Sequence, residues 1–150
     1  MARICIQQED FDLDAEFNAL KQRCSAVGAV VTFTGIVRCD DGIQSLTLEH
    51  YPGMTEREIA RHITEAQSRW PGIEASVVHR VGRLAAGDNI VLVAVAASHR
   101  QPAFEAAEFL MDYLKTHAPF WKQEARDSRA NWVEAKQSDE AALSRWQRED

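Results

Sequence analysis

The stretch HRQPAFEAAEFLMDYLKTHAPFWKQE, residues 99–124, decides how this chain is read. Phe104, Ala107, Leu110, Met111 and Leu114 recur at three- and four-residue spacing, which draws one apolar stripe along a helix. Glu105, Glu108 and Asp112 fall on the other side. Lys115 lies at the seam. A lysine there snorkels its stem over apolar surface, pairs with the acid three residues back, or points into a pocket. The spacing predicts a helix over residues 101–117. Pro119 stops it and pushes Ala118 towards extended geometry, and Lys122 follows in an extended segment.

Outward from this helix, strands dominate. NIVLVAVAAS, residues 89–98, is the most apolar run and reads as the central strand of a sheet. Residues 3–7 read as a short first strand with Ile4 and Ile6 on one face. Residues 13–24 carry helical spacing, with Asp12 or Asp14 as the cap. AVVTFTGIVR, residues 29–38, is rich in β-branched residues, and Gly35 within it signals a bulge or a close approach. The Asp41-Gly42 turn then predicts a hairpin with residues 43–51. Thr55 to Glu58 reads as a capping box that starts a helix ended by Pro71-Gly72. Residues 74–81 form a strand, and residues 82–88 a turn around Gly87-Asp88. After the central helix come strands over 120–126 and 130–135, joined by a polar turn at 127–129. A last short helix starts at Ser138–Glu140, with Arg145 and Arg148 near its end. This order predicts an α+β fold: a largely antiparallel sheet with packed helices, in a ferredoxin-like or hammerhead-type arrangement with a small extra β unit.

With 150 residues, 45% of them hydrophobic and 27% charged, one domain with a substantial core is expected over 1–150. The net charge of −6 argues against a nucleic-acid or anionic-membrane partner. No apolar run is long enough to span a bilayer, and the first residues lack a secretory apolar region, so the cytoplasm is expected. Cys5, Cys24 and Cys39 are odd in number and widely spaced, which fits neither a disulfide framework nor a zinc site. Arg38 beside Cys39 would favour its thiolate, but a free thiol without a role is the better reading.

The chemistry rests on cations. Arg38 ends a strand, and His99-Arg100 stands where the central strand gives way to the helix, whose free N–H groups and dipole favour an anion. Arginine offers phosphate a bidentate fork. Lys115 ends the same helix, about 20 Å away by helical rise. One pocket in one subunit cannot easily hold both ends, so either one end is functional or a second subunit brings them together. Taken alone, Arg38 and Arg100 read as solvated cations, Lys115 as the partner of Asp112, and Lys122 as an edge-strand lysine. His50, His62, His79 and His117 show no metal-ligand spacing and read as structural.

GAVVTFTGIVR, LTLEHYPGMTE, HRVGRLAAGD and SHRQPAFEAAEFLMDYLKTHAPFWKQE together resemble the large, catalytic subunit of molybdopterin synthase, with the blocks in family order from about Gly28 to Trp146. The resemblance implies an enzyme of molybdenum cofactor biosynthesis without a cofactor or metal of its own. Such an enzyme converts cyclic pyranopterin monophosphate to molybdopterin by inserting two dithiolene sulfurs. The sulfur arrives as a thiocarboxylate on the C-terminal Gly-Gly tail of a small ubiquitin-like partner. A homodimer forms the core of a heterotetramer, with pockets built across the dimer interface. Position by position, Lys115 and Lys122 match the family's active-site lysines. Val37, Arg38, His99 and Arg100 match its substrate pocket, with Gln123 and Glu124 beside Lys122. A lysine clustered with other cations is a better acid or base near neutral pH. Ile36 departs from the pattern, standing where many relatives carry a basic residue. A non-catalytic dimer that holds a pterin phosphate for regulation would keep the arginines but need neither both lysines nor a groove for the tail.

Overall fold

The computed structural model describes residues 2–38, 43–117, 120–126, 129–133 and 142–147, with the backbone alone for residues 43, 121–126 and 129–133. The elements run β1 (Arg3–Gln7), α1 (Leu13–Arg23), β2 (Ala29–Ile36), β3 (Ile43–His50), α2 (Met54–Arg69), β4 (Glu74–Arg80), β5 (Gly82–Ala85), β6 (Asn89–Ala97), α3 (Arg100–Thr116), β7 (Phe120–Arg126) and β8 (Arg129–Val133). The turns expected at 39–42 and 127–129 lie wholly or partly outside the described residues, as do Cys39, Ala118, Pro119 and the start of the last helix. Of that helix a turn over 142–144 is described.

The strands form two four-stranded sheets, in the orders β1-β4-β6-β2 and β5-β3-β7-β8. Among the described residues only β1 and β4 pair in parallel; the other pairs are antiparallel. The fold is therefore α+β, as the element order predicts, with the second sheet as the smaller β unit.

β6 explains its own composition. Val91, Val93, Val95 and Ala97 face α2 and α3, in a core with Ile59, Ile63, Ala106 and Phe109. Ala94 and Ala96 face α1, against Leu20 and Cys24. A strand covered on both faces needs apolar residues throughout, which is why it shows no alternation. Its place between β4 and β2 is the interior position expected of it. Asp12 caps α1 by accepting from the Ala15 N–H, and Arg3 clasps Glu16 with a fork of 2.8–3.0 Å bonds that ties β1 to that helix. The second core is small: Val37, Leu46, Leu48, Val81 and Leu84.

Several expectations are corrected. β2 and β3 do not form a hairpin: β2 pairs with β6, and β3 pairs with β5 and β7. The Asp-Gly signal is a local one, while burial decides which strand each segment joins. Residues 82–85 form a strand rather than part of a turn. Four residues with Leu84 as the one buried apolar side chain are too few to show a period. α2 begins two residues earlier than the capping box implies. Its N-cap is Gly53, at φ +85°, and Glu56 reaches back to the Gly53 N–H at 3.1 Å. Thr55 instead accepts from the Tyr51 N–H. The stripe of α3 is also turned: Ala103, Ala106, Ala107, Phe109 and Leu110 are buried, whereas Phe104 is 60% exposed. Small alanines let α3 lie close on β2 and β6, and a stripe drawn from large residues alone misses that. Gly35 meets its expectation. The β2–β6 register shifts after it, and a Cβ there would stand 2.8 Å from Val91 Cγ1.

Candidate active site

The first group of cations is His99 and Arg100, where β6 ends and α3 begins, beside the start of β2; Arg38 leaves the opposite end of β2, beside Asn89, about 23 Å further along that strand. Val37 is buried and fixed through its backbone. Its N–H donates to the Asp88 carbonyl at 2.8 Å, and its carbonyl accepts from the Gly87 N–H at 2.9 Å. This clasp sets where Arg38 leaves the fold, exposed, just after the exposed Ile36. His99 is the N-cap of α3 in extended conformation, but its side chain makes no capping bond. Its Nδ1 instead lies 2.9 Å from the Ser98 hydroxyl. Ser98 is a polar neighbour that the sequence reading passed over, although its place beside His99 at a strand–helix junction was visible.

α3 opens unlike the other two helices. α1 has Asp14 and Glu16 in its first turn and α2 has Glu56, but α3 has no acid there and carries Arg100 instead. A cation at the positive end of a helix dipole is unfavourable by itself. It becomes favourable when an anion sits between guanidinium and helix N–H groups. Pro102 falls in the first turn, where its missing N–H costs nothing.

The second group lies at the other end. Lys115 is exposed in the last turn of α3. The expected pairing with Asp112 is not made, because that carboxylate receives Arg145 at 3.1 Å and the Trp146 indole N–H. Lys122, Gln123 and Glu124 lie on β7, in register with Leu48, Thr47 and Leu46 of β3 and with Val133, Trp132 and Asn131 of β8. β7 is thus an interior strand, which corrects the edge-strand reading of Lys122. Within one chain, Arg100 and Lys115 stand at opposite ends of a straight helix, about 22 Å apart by rise. The fold keeps the two groups as far apart as the sequence implies.

Of the histidines read as structural, His62 and His79 are buried, His50 is partly buried and His117 is exposed. His62 is buried against Tyr113, with ring centroids 4.3 Å apart, and lies 6.0 Å from His117. Burial, and then the Arg61 charge, push its pKa down to about 4. Its Nε2 is buried without a hydrogen-bond partner among the described residues. An open cavity of about 550 Å³ adjoins it between α2 and α3, and none of the candidate site residues lines it. Among the described residues no group of three or more metal-ligating side chains converges, and no helix is long and apolar enough to cross a membrane.

Comparison with known proteins gives these positions a family. Residues 6–117 match the family model described as MoaE protein, which takes in Val37, Arg38, His99, Arg100 and Lys115 and stops short of Lys122. The molybdopterin synthase catalytic subunit of Cereibacter sphaeroides is 52% identical over 145 residues, covering 96% of this chain and 99% of that protein. The protein of the same name from Mesorhizobium japonicum is 55% identical over 144 residues, covering 94% and 91%. The solved structure of the molybdopterin biosynthesis MoaE protein from Burkholderia ambifaria superposes with a TM-score of 0.86 at 53% identity, covering 97% of this chain and 98% of that one. With identity of this order over nearly its full length, the chain belongs to the MoaE protein family, that of the molybdopterin synthase catalytic subunits.

Proposed function

We propose that this chain is the sulfur-inserting subunit of a molybdopterin synthase. In this reading it converts cyclic pyranopterin monophosphate to molybdopterin in the cytoplasm, with the C-terminal thiocarboxylate of a small ubiquitin-like protein ending in Gly-Gly as sulfur donor. The observation that carries the reading is the opening of α3, where His99 and Arg100 stand exposed with no acid in the first turn; Arg38 emerges at the opposite end of β2, so it would join the pocket from the subunit that supplies the lysines. That group suits the substrate phosphate. Lys115 assists attack and collapse at the thiocarboxylate carbon, and Lys122 positions the substrate or tail beside Gln123 and Glu124.

The separation of the two groups along α3 supports a homodimer in which each pocket takes His99 and Arg100 from one subunit and the lysines from the other. One small subunit at each end would make the heterotetramer. Exposed apolar side chains near Arg38 and near Arg100 fit a subunit contact along β2 and α3. Ile36 is 53% exposed two residues before Arg38, and Phe104 is 60% exposed one turn after Arg100. β2 is also the outer strand of its sheet among the described residues.

The test mixes the purified chain with the cyclic pterin and thiocarboxylated small subunit and assays the dithiolene product. Product is expected with the native chain and is lost with Lys115→Ala. A well-folded native chain that binds the pterin and forms no product would leave a phosphate-binding dimer as the better reading.

A further inference from the structure

Phe120 occupies an unusual place in the fold. It is the first residue of β7, in the second sheet, yet its ring packs on both cores. It stacks on His79 of β4, in the first sheet, with centroids 4.0 Å apart and planes 21° from parallel. On its other flank is His50, its register partner on β3, at 6.5 Å. Phe120 is therefore a pin between the two sheets, seated between two histidines.

Both histidines are themselves held. His79 is buried, and its Nδ1 lies 2.8 Å from the Arg80 carbonyl. A carbonyl only accepts, so Nδ1 carries the proton and the ring cannot flip without losing that bond. The His50 ring approaches Glu56 at 3.9 Å, the same carboxylate that caps the start of α2. The stack is thus fixed at one end by β4 and at the other by the start of α2.

Lys122 follows Phe120 by two residues. In an extended strand that places its Cα about 7 Å further along, with no turn in between to absorb a change. Any shift of Phe120 along or across β7 is passed to Lys122, because the β3–β7 register between them is unbroken from His50–Phe120 to Leu48–Lys122. We infer that His79 is a positioning residue for Lys122: by stacking on Phe120 it sets where β7 enters the second sheet, and so where the lysine stands. The inference rests on the proposed role of Lys122 in sulfur insertion.

Reactive groups held by such an arrangement lose rate steeply when displaced by about 1 Å. The experiment is a double-mutant cycle on the complete enzyme, with pterin substrate and thiocarboxylated small subunit. Four chains are compared: native, His79→Leu, Lys122→Ala and the pair. His79→Leu is expected to lower kcat about tenfold with little change in KM. In the Lys122→Ala background the same substitution should cost less than about twofold. His79→Phe, which keeps a flat ring for Phe120, should recover most of the rate and guards against a variant that merely folds poorly. Equal losses in both backgrounds, or no loss in either, would overturn the inference. A native enzyme without product, or an unimpaired Lys122→Ala, would instead bring down the functional reading on which it rests.

Discussion

Gly28 lies against Ser98 so closely that a Cβ on it would stand 1.9 Å from the Ser98 carbonyl oxygen. The contact closes the β2–β6 ladder, where the Gly28 N–H donates to the Ala97 carbonyl at 2.8 Å. Ser98 in turn holds His99 through its hydroxyl. Because the clash would be with backbone, no side-chain rotation relieves it. Gly28→Ala is expected to destabilise the fold by about 2–4 kcal/mol and to displace His99. Urea unfolding measures the first effect, and a weakened affinity for the pterin phosphate the second. An unchanged urea midpoint would mean that the ladder end is free to open.

A pocket shared between subunits makes a prediction that a pocket within one subunit does not. Arg100→Ala and Lys115→Ala should each abolish most activity alone. In a heterodimer with one subunit of each kind, one site carries both lesions and the other carries none. Purified heterodimer should therefore regain about half of native activity. If it is no more active than its parents, both groups belong to the same subunit's site.

His62 should make stability fall with acid. Its pKa is about 4 in the folded chain against an ordinary 6.5, so between these values the unfolded chain holds more protons. Stability then declines as pH falls from about 6.5 to about 4, by up to roughly 3 kcal/mol. Below that window the contribution is lost and the slope from this residue ends. His62→Leu removes a buried polar atom without a described partner and is expected to be neutral or stabilising near pH 7. Thermal melts of both chains across pH 4–7 should show a shallower decline for the variant.

Trp146 joins the chain's far end to α3. Its ring meets Trp70 and Phe109 edge-on at 5.9 and 5.7 Å, its indole N–H donates to Asp112, and its carbonyl accepts from Arg69 at 2.8 Å. Trp146→Ala should cost about 3 kcal/mol, near the low end for aromatic truncation because the ring is only half-buried. Asp112 would keep Arg145 but lose the indole donor, leaving part of its carboxylate within reach of Lys115 three residues on, which should lower activity beyond the loss of stability. Urea unfolding checks the first, and product formation at a temperature where the variant is fully folded checks the second.

Much of this was legible in residue order. β6 announced itself through an unbroken apolar run, α3 through its spacing, and the cap of α1 through Asp12. The short β5 was not legible, because four residues carry no period. The pairing of β3 was also hidden: the Asp41-Gly42 signal is purely local, while Leu46 and Leu48 find their core with Val81 and Leu84. Phe104 misled for a related reason. Its size suggested burial, but the close contact of α3 with its sheet is made by alanines.

For the site, the sequence by itself determined the family, the identity of the cations and the distance between them. Helical rise is a local property, so the length of α3 needs no tertiary information. Only the tertiary structure decided that β7 is an interior strand, that Asp112 is taken by Arg145 and Trp146, and that Phe120 is stacked on His79. The β3–β7 pairing and the contacts of Asp112 and Phe120 join residues more than 30 positions apart in the chain. Such contacts are chosen by how the sheets and helices share their buried surfaces, a competition that no local pattern records.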